Sequence, residues 1–373
     1  MKIGYSYWGF LGDYKEDEKG NPLSTPDGNA AYGCYLISAM YKAGHEVAML
    51  QEDRDWPTFK RRGKYDFAAF SQDLRFSAYM KPLREPSGFP KIDALLLEWR
   101  FPIPGRNTPD AKGKPGYQPD LERQNELLEH YSGKCPIIVW DLDYKITEED
   151  EVRLQKLGCV GILETAVSPR KGLIPRYRVE PPVHTPDLLV RAPRPLNPNK
   201  KLVYVGSRYE RDDIIDKWIK PVSDAFPQQV EFYGNWTAEY NFAEVQAKWP
   251  NVKYCDRISM KDFDKAYGDA SACPLLAKKS YLENGFITPR IWEAIIFGTI
   301  PVGLSEHNGI YEYLPADLVA RDPDDMVRLV NLLSRMPKEE RDQLIHAVVA
   351  RIEFMDASNF VRVIEGVVNG KSS

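Results

Sequence analysis

Apolar and polar positions fall into two blocks with the same grammar: a short apolar run, a loop with glycine or polar residues, a run at helical spacing, then another apolar run. In the first block residues 2–7 read as a strand, followed by a long polar loop holding Gly20, Pro22, Pro26, Gly28 and Asn29. Helical spacing over 31–42 stops at Gly44, and 46–50 resumes as strand. Residues 92–99 form the next apolar run and open into Arg100 and a Pro/Gly-rich loop, FPIPGRNTPDAKGKPGYQP. A helix over 121–131 and a buried strand over 135–140 follow. The second block repeats the order, with strands over 201–205, 230–233, 251–254 and 271–275 separated by helical stretches. It closes on ITPRIWEAIIFGTIPVGL, residues 287–304, a helix feeding a strand, and on a long helical pattern over 338–369. Strands alternating with helices predict parallel sheets, and the repeat predicts two of them.

Composition narrows the class. A chain of 373 residues with 43% hydrophobic and 28% charged residues has room for two globular domains. No apolar run is long enough to span a bilayer, and the start, MKIGYSYWGF, lacks the pattern of a signal peptide, so a cytoplasmic location is expected. Cys34, Cys135, Cys159, Cys255 and Cys273 have no paired metal spacing and read as reduced core residues. The net charge of −4 argues against nonspecific coating of nucleic acid but leaves room for a local basic cleft. Two stretches are cation-rich. Residues 53–90 carry Arg54, Lys60, Arg61, Arg62, Lys64, Arg75, Lys81 and Arg84 among aromatics, a mixture that can track a phosphodiester backbone or simply face solvent. Residues 168–201, dense in proline, read as an interdomain linker whose Arg170, Lys171, Arg176, Arg178, Arg191 and Arg194 either line the cleft beside it or merely solubilise it.

Candidate chemistry sits at the carboxyl ends of the strands. Thr288 is suited to cap the 287–304 helix and Pro289 to its first position. Arg290 and Glu293, three apart, share a face: the arginine is suited to phosphate oxygens and the glutamate to a ribose diol. The alternative is a salt-bridged surface helix. The loop Gly206, Ser207, Arg208, Glu210, Arg211 after a strand is suited to a pyrophosphate. The strand over 135–140 delivers Asp141 and Asp143, where either a catalytic carboxylate or a turn-forming acid belongs.

The blocks VYVGSRYERD, VEFYGN, NVKYCDRISMKDFDKAYGDA and SYLENGFITPRIWEAIIFGTIPV, in that order, resemble the nucleotide-sugar domain of the two-domain GT-B fold glycosyltransferases. More closely, they look like the DNA β-glucosyltransferases of the T-even bacteriophages. The resemblance covers residues 202–331 well, and residues 1–50 and the strand ending at Asp141 in position more than in letters.

The resemblance implies an α/β protein of two Rossmann-like domains facing across a cleft. Residues 1–190, with the returning C-terminal helix 338–369, would bind the acceptor, and 201–337 the nucleotide sugar. It implies a UDP-sugar as co-substrate with no obligatory cofactor, though a divalent cation can assist the diphosphate. The acceptor would be double-stranded DNA bearing a hydroxymethylated pyrimidine, and the protein an expected monomer away from membranes. Arg290 and Glu293 match the phosphate-binding arginine and ribose-binding glutamate, and Gly206 and Ser207 the glycine turn. Arg208 and Arg211 are shifted from the family's arginines, leaving open which grips the diphosphate. Ile258 falls where backbone groups hold the uracil. Asp141 aligns with the catalytic aspartate, while Asp143 replaces an arginine. The sugar and acceptor would be met by Asp27, Asn29, Arg100, Asp143, Tyr281, Glu283 and Asn284. Three alternatives remain. Asp-x-Asp is also the metal-binding pair of the other large glycosyltransferase fold, but there it accompanies the nucleotide half. Retaining members of the GT-B fold often place seven residues between two glutamates, where Glu283 and Glu293 here have nine, favouring inversion. The acceptor could instead be a surface polysaccharide or small molecule, or the site could bind without catalysing.

Overall fold

The computed structural model describes residues 1–6, 29–50, 89–105, 107–116, 120–189, 195–237, 241–258 and 263–370. Within them the two blocks fold into two six-stranded sheets. The first contains β1 (Lys2–Ser6), β2 (Glu46–Met49), β3 (Ala94–Glu98), β4 (Ile137–Asp141), β5 (Cys159–Glu164) and β6 (Arg176–Arg178), in the order β2-β1-β3-β4-β5-β6. The second contains β7 (Leu202–Val205), β8 (Val230–Tyr233), β9 (Lys253–Cys255), β10 (Ala272–Pro274), β11 (Ile300–Leu304) and β12 (Val319–Ala320), in the order β12-β11-β10-β7-β8-β9. Every pairing is parallel. Helices cover the faces, so β3, β4 and β11 are buried along their whole length, and continuous apolar runs replace alternation.

Strand order reverses between β1 and β3 in the first sheet and between β7 and β10 in the second. The loops leaving neighbouring strands diverge there, opening the crevice in which such sheets bind ligands. Contacts link the halves. Tyr35 of helix Asn29–Lys42 packs edge-on against Trp292 of helix Arg290–Ile296, with centroids 5.8 Å apart. Tyr281 donates a short hydrogen bond to Asp143, and Tyr313 donates to Glu180 at 2.9 Å.

Several expectations need correction. The proline-rich run 168–201 is not a plain linker: Arg176–Arg178 forms β6 on the edge of the first sheet, and Thr185–Leu189 forms a 3-10 turn. A three-residue strand of sequence RYR, only partly buried, carries no apolar signal. Its cations are also spent locally. Arg170 and Arg176 pair with Glu164, and Arg178 pairs with Glu180 and Glu312. The helical pattern over 338–369 is two helices, Lys338–Arg351 and Ala357–Val368, broken by a 3-10 turn at Glu353–Met355. The second lies against helix Asn29–Lys42, with Phe360 against Trp140 at 4.7 Å and Val367 over Gly161, where a Cβ would meet it at 2.8 Å. Helix Arg290–Ile296 has Pro289 as its N-cap and no side-chain cap; the Thr288 hydroxyl instead accepts from Arg290 at 3.3 Å. Gly298, left-handed at φ 81°, ends it as expected. The cations at residues 54–84 and Arg191 and Arg194 lie outside the described residues. Among the described residues no helix is long and apolar enough to cross a membrane.

His307, in the turn after β11, is only 2% exposed, and burial lowers its pKa to about 4, against a smaller upward contribution from the Phe286 backbone. The neutral imidazole is therefore favoured by folding. Its stabilisation is complete above the unfolded value near 6.5 and is lost as pH falls toward 4. Between pH 7 and pH 5 this residue should cost about 2 kcal/mol of stability. Urea midpoints of the wild type and His307→Leu at the two pH values check this: the variant should lose clearly less.

Candidate active site

Arg290 occupies the reversal of the second sheet. Its Nε donates to the Val205 carbonyl, at the end of β7, at 2.8 Å, and its Nη1 to the Leu276 carbonyl, just beyond β10, at 3.2 Å. The guanidinium lies over the Tyr204 ring at 4.8 Å. Its Nη2 stands 2.5 Å from where a Cβ on residue 206 would be, so a larger residue there would push the guanidinium aside. Glu293, one turn along, is buried and accepts from Tyr267 at 3.3 Å. Glu293 is buried and favours the Arg290 charge only from a distance, so the surface salt-bridge alternative does not describe them.

The two loop arginines separate sharply. Arg208 donates to Asp212 at 2.8 and 2.6 Å and to Glu244 at 3.0 Å, and lies over Trp249, so its charge is already neutralised. Arg211 donates to the Tyr209 carbonyl at 2.8 Å, its Nε is buried without a hydrogen-bond partner, and among the described residues no carboxylate lies within ion-pair distance of it. Gly206 donates its N–H to the Tyr233 carbonyl at 3.0 Å, and the Ser207 carbonyl accepts from Tyr204 at 3.3 Å, which fixes the turn. Ile258 is buried beyond β9, next to Arg257, whose Nε donates to Asn235 at 2.5 Å.

Lys278 is a cation that the sequence reading passed over. It follows the apolar run of β10 and precedes helix Lys279–Asn284. It is 6% exposed, its ammonium lies 4.2 Å over the Tyr281 ring, and burial lowers its pKa. Asp143 and Glu210 favour its charge from a distance while Lys145 and Arg211 oppose it, and among the described residues no carboxylate pairs with it directly. The position at the carboxyl end of a strand beside the reversal was the available signal.

Between the loop after β7 and helix Lys279–Asn284 runs an open groove of about 870 Å³, lined by Tyr209, Glu210, Arg211, Lys279, Ser280 and Glu283 among others. Glu283 faces solvent with Lys279 at 3.7 Å, and Asn284 donates back to the Ser280 carbonyl at 2.7 Å. Tyr281 stacks on Phe286 at 4.1 Å and reaches across to Asp143.

The first sheet meets this region through Asp143, which accepts from Tyr281. Asp141, the last residue of β4, is 1% exposed. Its oxygens accept from the Lys145 and Ile146 amides at 2.8 and 2.9 Å and from Arg170 at 2.7 Å. Burial raises its pKa, against those two amides and Arg170, while Glu164 adds to the rise. Those bonds shape the loop that carries Asp143 out to Tyr281, so the two aspartates turn to different partners. Arg100 sits at the reversal of its own sheet, donating to Ser6 at 2.8 Å, with its backbone held by Gln124 at 2.8 and 3.1 Å. Asp27 and the side chain of Asn29 lie outside the described residues. No group of His, Cys, Asp and Glu among the described residues is arranged to hold a metal ion.

No protein-family profile matches the chain, and no curated protein sequence matches it. Solved structures do. The DNA-modifying β-glucosyltransferase, solved with and without uridine diphosphoglucose, is 13% identical with a TM-score of 0.59, over 99% of this chain and 100% of that one. An α-glucosyltransferase in complex with UDP-glucose and DNA containing an abasic site is 13% identical with a TM-score of 0.61, over 98% of each chain. Sucrose-phosphate synthase of Thermosynechococcus elongatus is 10% identical with a TM-score of 0.52, over the whole of both chains. At these identities the likeness establishes the fold, which is GT-B.

Proposed function

We propose that the chain is a GT-B glycosyltransferase that moves a sugar from a nucleoside diphosphate, most simply UDP, to a hydroxymethylated pyrimidine in duplex DNA of a bacteriophage. The observation that carries the donor half is a set of three cations near the ends of β7 and β10, Arg290 bonded to the Val205 and Leu276 carbonyls, Lys278 and Arg211, with no directly paired carboxylate among the described residues. Clustered positive charge held partly out of water is unfavourable alone and is relieved by a dianion, which a nucleoside diphosphate supplies. Buried Glu293 suits the ribose diol. In this reading residues 201–337 hold the donor, and residues 1–190 with 338–369 hold the acceptor, in the cytoplasm of an infected cell.

Asp141 accepts the proton of the acceptor hydroxyl as its oxygen forms a bond to the anomeric carbon. The bond from that carbon to the phosphate oxygen breaks, and the electron pair leaves with the diphosphate. Arg290, Lys278 and Arg211 balance the charge that develops there. One displacement inverts the anomeric centre. A divalent cation can assist the same oxygens. A base inside a duplex cannot reach the cleft, so the nucleotide must swing out of the stack, at a cost of a few kcal/mol that phosphate contacts offset. Both named glucosyltransferases share this fold, and one was solved with DNA, which supports a nucleic acid acceptor.

The test is a screen of UDP-glucose and other sugar nucleotides against duplexes containing 5-hydroxymethylcytosine, 5-hydroxymethyluracil or ordinary bases, read by the mass of released nucleosides. Addition of one hexose to a hydroxymethylated base is expected, with DNA retention that weakens steeply as salt rises. Transfer only to free sugars or polysaccharide would overturn the DNA acceptor while keeping the donor half.

A further inference from the structure

Asp141 ends a buried strand, a setting that strips charge from a carboxylate unless other groups supply the difference. The groups facing it are the Lys145 and Ile146 amides, Arg170, Tyr144, and Glu164, its register partner on β5. Beyond them Arg176 joins Glu164 to Glu151. The two guanidiniums of Arg170 and Arg176 thus face the three carboxylates of Asp141, Glu164 and Glu151. Without Arg170 the three carboxylates would share one cation. The amides cannot replace it, because they bring no net charge against the neighbouring glutamate.

Arg170 is also fixed on several sides. Its Nε and Nη2 reach Glu164 at 2.8 and 2.6 Å, and its own amide reaches the same carboxylate at 2.9 Å. Its Nη1 reaches the Ile146 carbonyl at 3.2 Å, and its plane lies 4.0 Å over the Tyr144 ring. It therefore grips both the carboxylate and the loop that bends back onto it.

We propose that Arg170 is a positioning residue for transfer, resting on the reading of Asp141 as the base: it supplies the counter-charge that keeps Asp141 a carboxylate and ties the 141–146 loop in place. Arg170 touches neither donor nor acceptor in this assignment. Its signature is therefore in the pH profile rather than in donor affinity. Protonation of Asp141 removes the base, so activity is present above its pKa and falls as pH drops through it; loss of Arg170 raises that threshold.

The experiment compares the wild type with Arg170→Gln, Arg170→Lys and Asp141→Asn, using UDP-glucose and a hydroxymethylated duplex, with kcat/KM followed from pH 5 to 9 and UDP affinity measured by calorimetry. Arg170→Gln should move the acidic limb upward by about one pH unit or more, with UDP affinity changed less than about twofold. Arg170→Lys should restore most of the limb, since it keeps the charge but not the fork. An acidic limb that stays in place while activity falls equally at every pH overturns the proposal, as does a loss confined to UDP affinity. If the glutamine variant does not fold, Arg170→Met, which removes the same charge at similar volume, decides: an upward shift of the limb supports the role, and an unmoved limb overturns it. If Asp141→Asn keeps wild-type transfer, the base assignment itself has failed. If Asp141→Asn is inactive yet the limb is unmoved in the Arg170 variants, only the role of Arg170 has failed.

Discussion

Arg290→Ala is expected to lower kcat/KM for transfer by about two to three orders of magnitude, as loss of a preorganised donor to a developing oxyanion does elsewhere. The size follows from what holds the side chain. Its three bonds run to neutral oxygens, Val205, Leu276 and Thr288, its stack on Tyr204 is likewise neutral, and Glu293 favours its charge without bonding it, so its hydrogen bonds leave it unpaired with any carboxylate among the described residues. Both UDP affinity, by calorimetry, and kcat should fall, because charge on the diphosphate grows as the glycosidic bond breaks. Arg290→Lys should recover little, since an ammonium cannot bond Val205 and Leu276 while facing two phosphate oxygens. Arg208→Ala provides the contrast. With Arg208 already held by Asp212 and Glu244, its removal should leave UDP affinity within about threefold of wild type. Equal losses in the Arg208 and Arg290 variants would contradict the division of labour drawn from their ion pairs.

That division was only half legible in the sequence. The spacing of Arg290 and Glu293 and the glycine stop at Gly298 were plain, because short-range periodicity dictates them. Both parallel sheets were plain for a similar reason: strands buried on both faces read as unbroken apolar runs. Whether Arg208 or Arg211 is neutralised could not be read, because Asp212 and Asp213 follow both arginines and only the fold gives Asp212, with Glu244 thirty-six residues away, to Arg208. Lys278 was hidden by Lys279: two adjacent lysines look like one solvated pair until the fold buries the first and exposes the second. Likewise the cations of 170–178 looked available for a cleft until Glu151, Glu164 and Glu180 were found beside them. Local pattern fixes where a charge is along the chain. Whether it is free is decided by partners that come from elsewhere in the fold.

Asp141→Asn is expected to reduce kcat by about 10²- to 10⁴-fold, the usual span for a general base, while UDP affinity stays close to wild type. The substitution is nearly isosteric. The asparagine carbonyl, placed as Oδ2, can still accept from the Ile146 amide and Arg170, but the amide nitrogen then faces the Lys145 N–H, a donor that the carboxylate accepted. Some loss of stability should therefore accompany the loss of rate, about 1–3 kcal/mol for a buried donor left facing a donor, and denaturant unfolding of the variant measures it separately. Asp143→Asn is the informative partner. Asp143 is more open and touches Tyr281 of the other half, so it is placed to align the lobes rather than to carry the proton in this assignment. Its asparagine variant, whose carbonyl still accepts from Tyr281, should keep the pH profile and lose at most about tenfold in kcat/KM, no more than Tyr281→Phe, which removes the donor outright. If instead Asp143→Asn abolishes transfer while Asp141→Asn only destabilises the fold, the base is the aspartate two residues on. The buried carboxylate of Asp141 would then serve to bend the loop that presents Asp143, and a carboxylate that accepts from two amides of its own loop, Lys145 and Ile146, is well suited to that task.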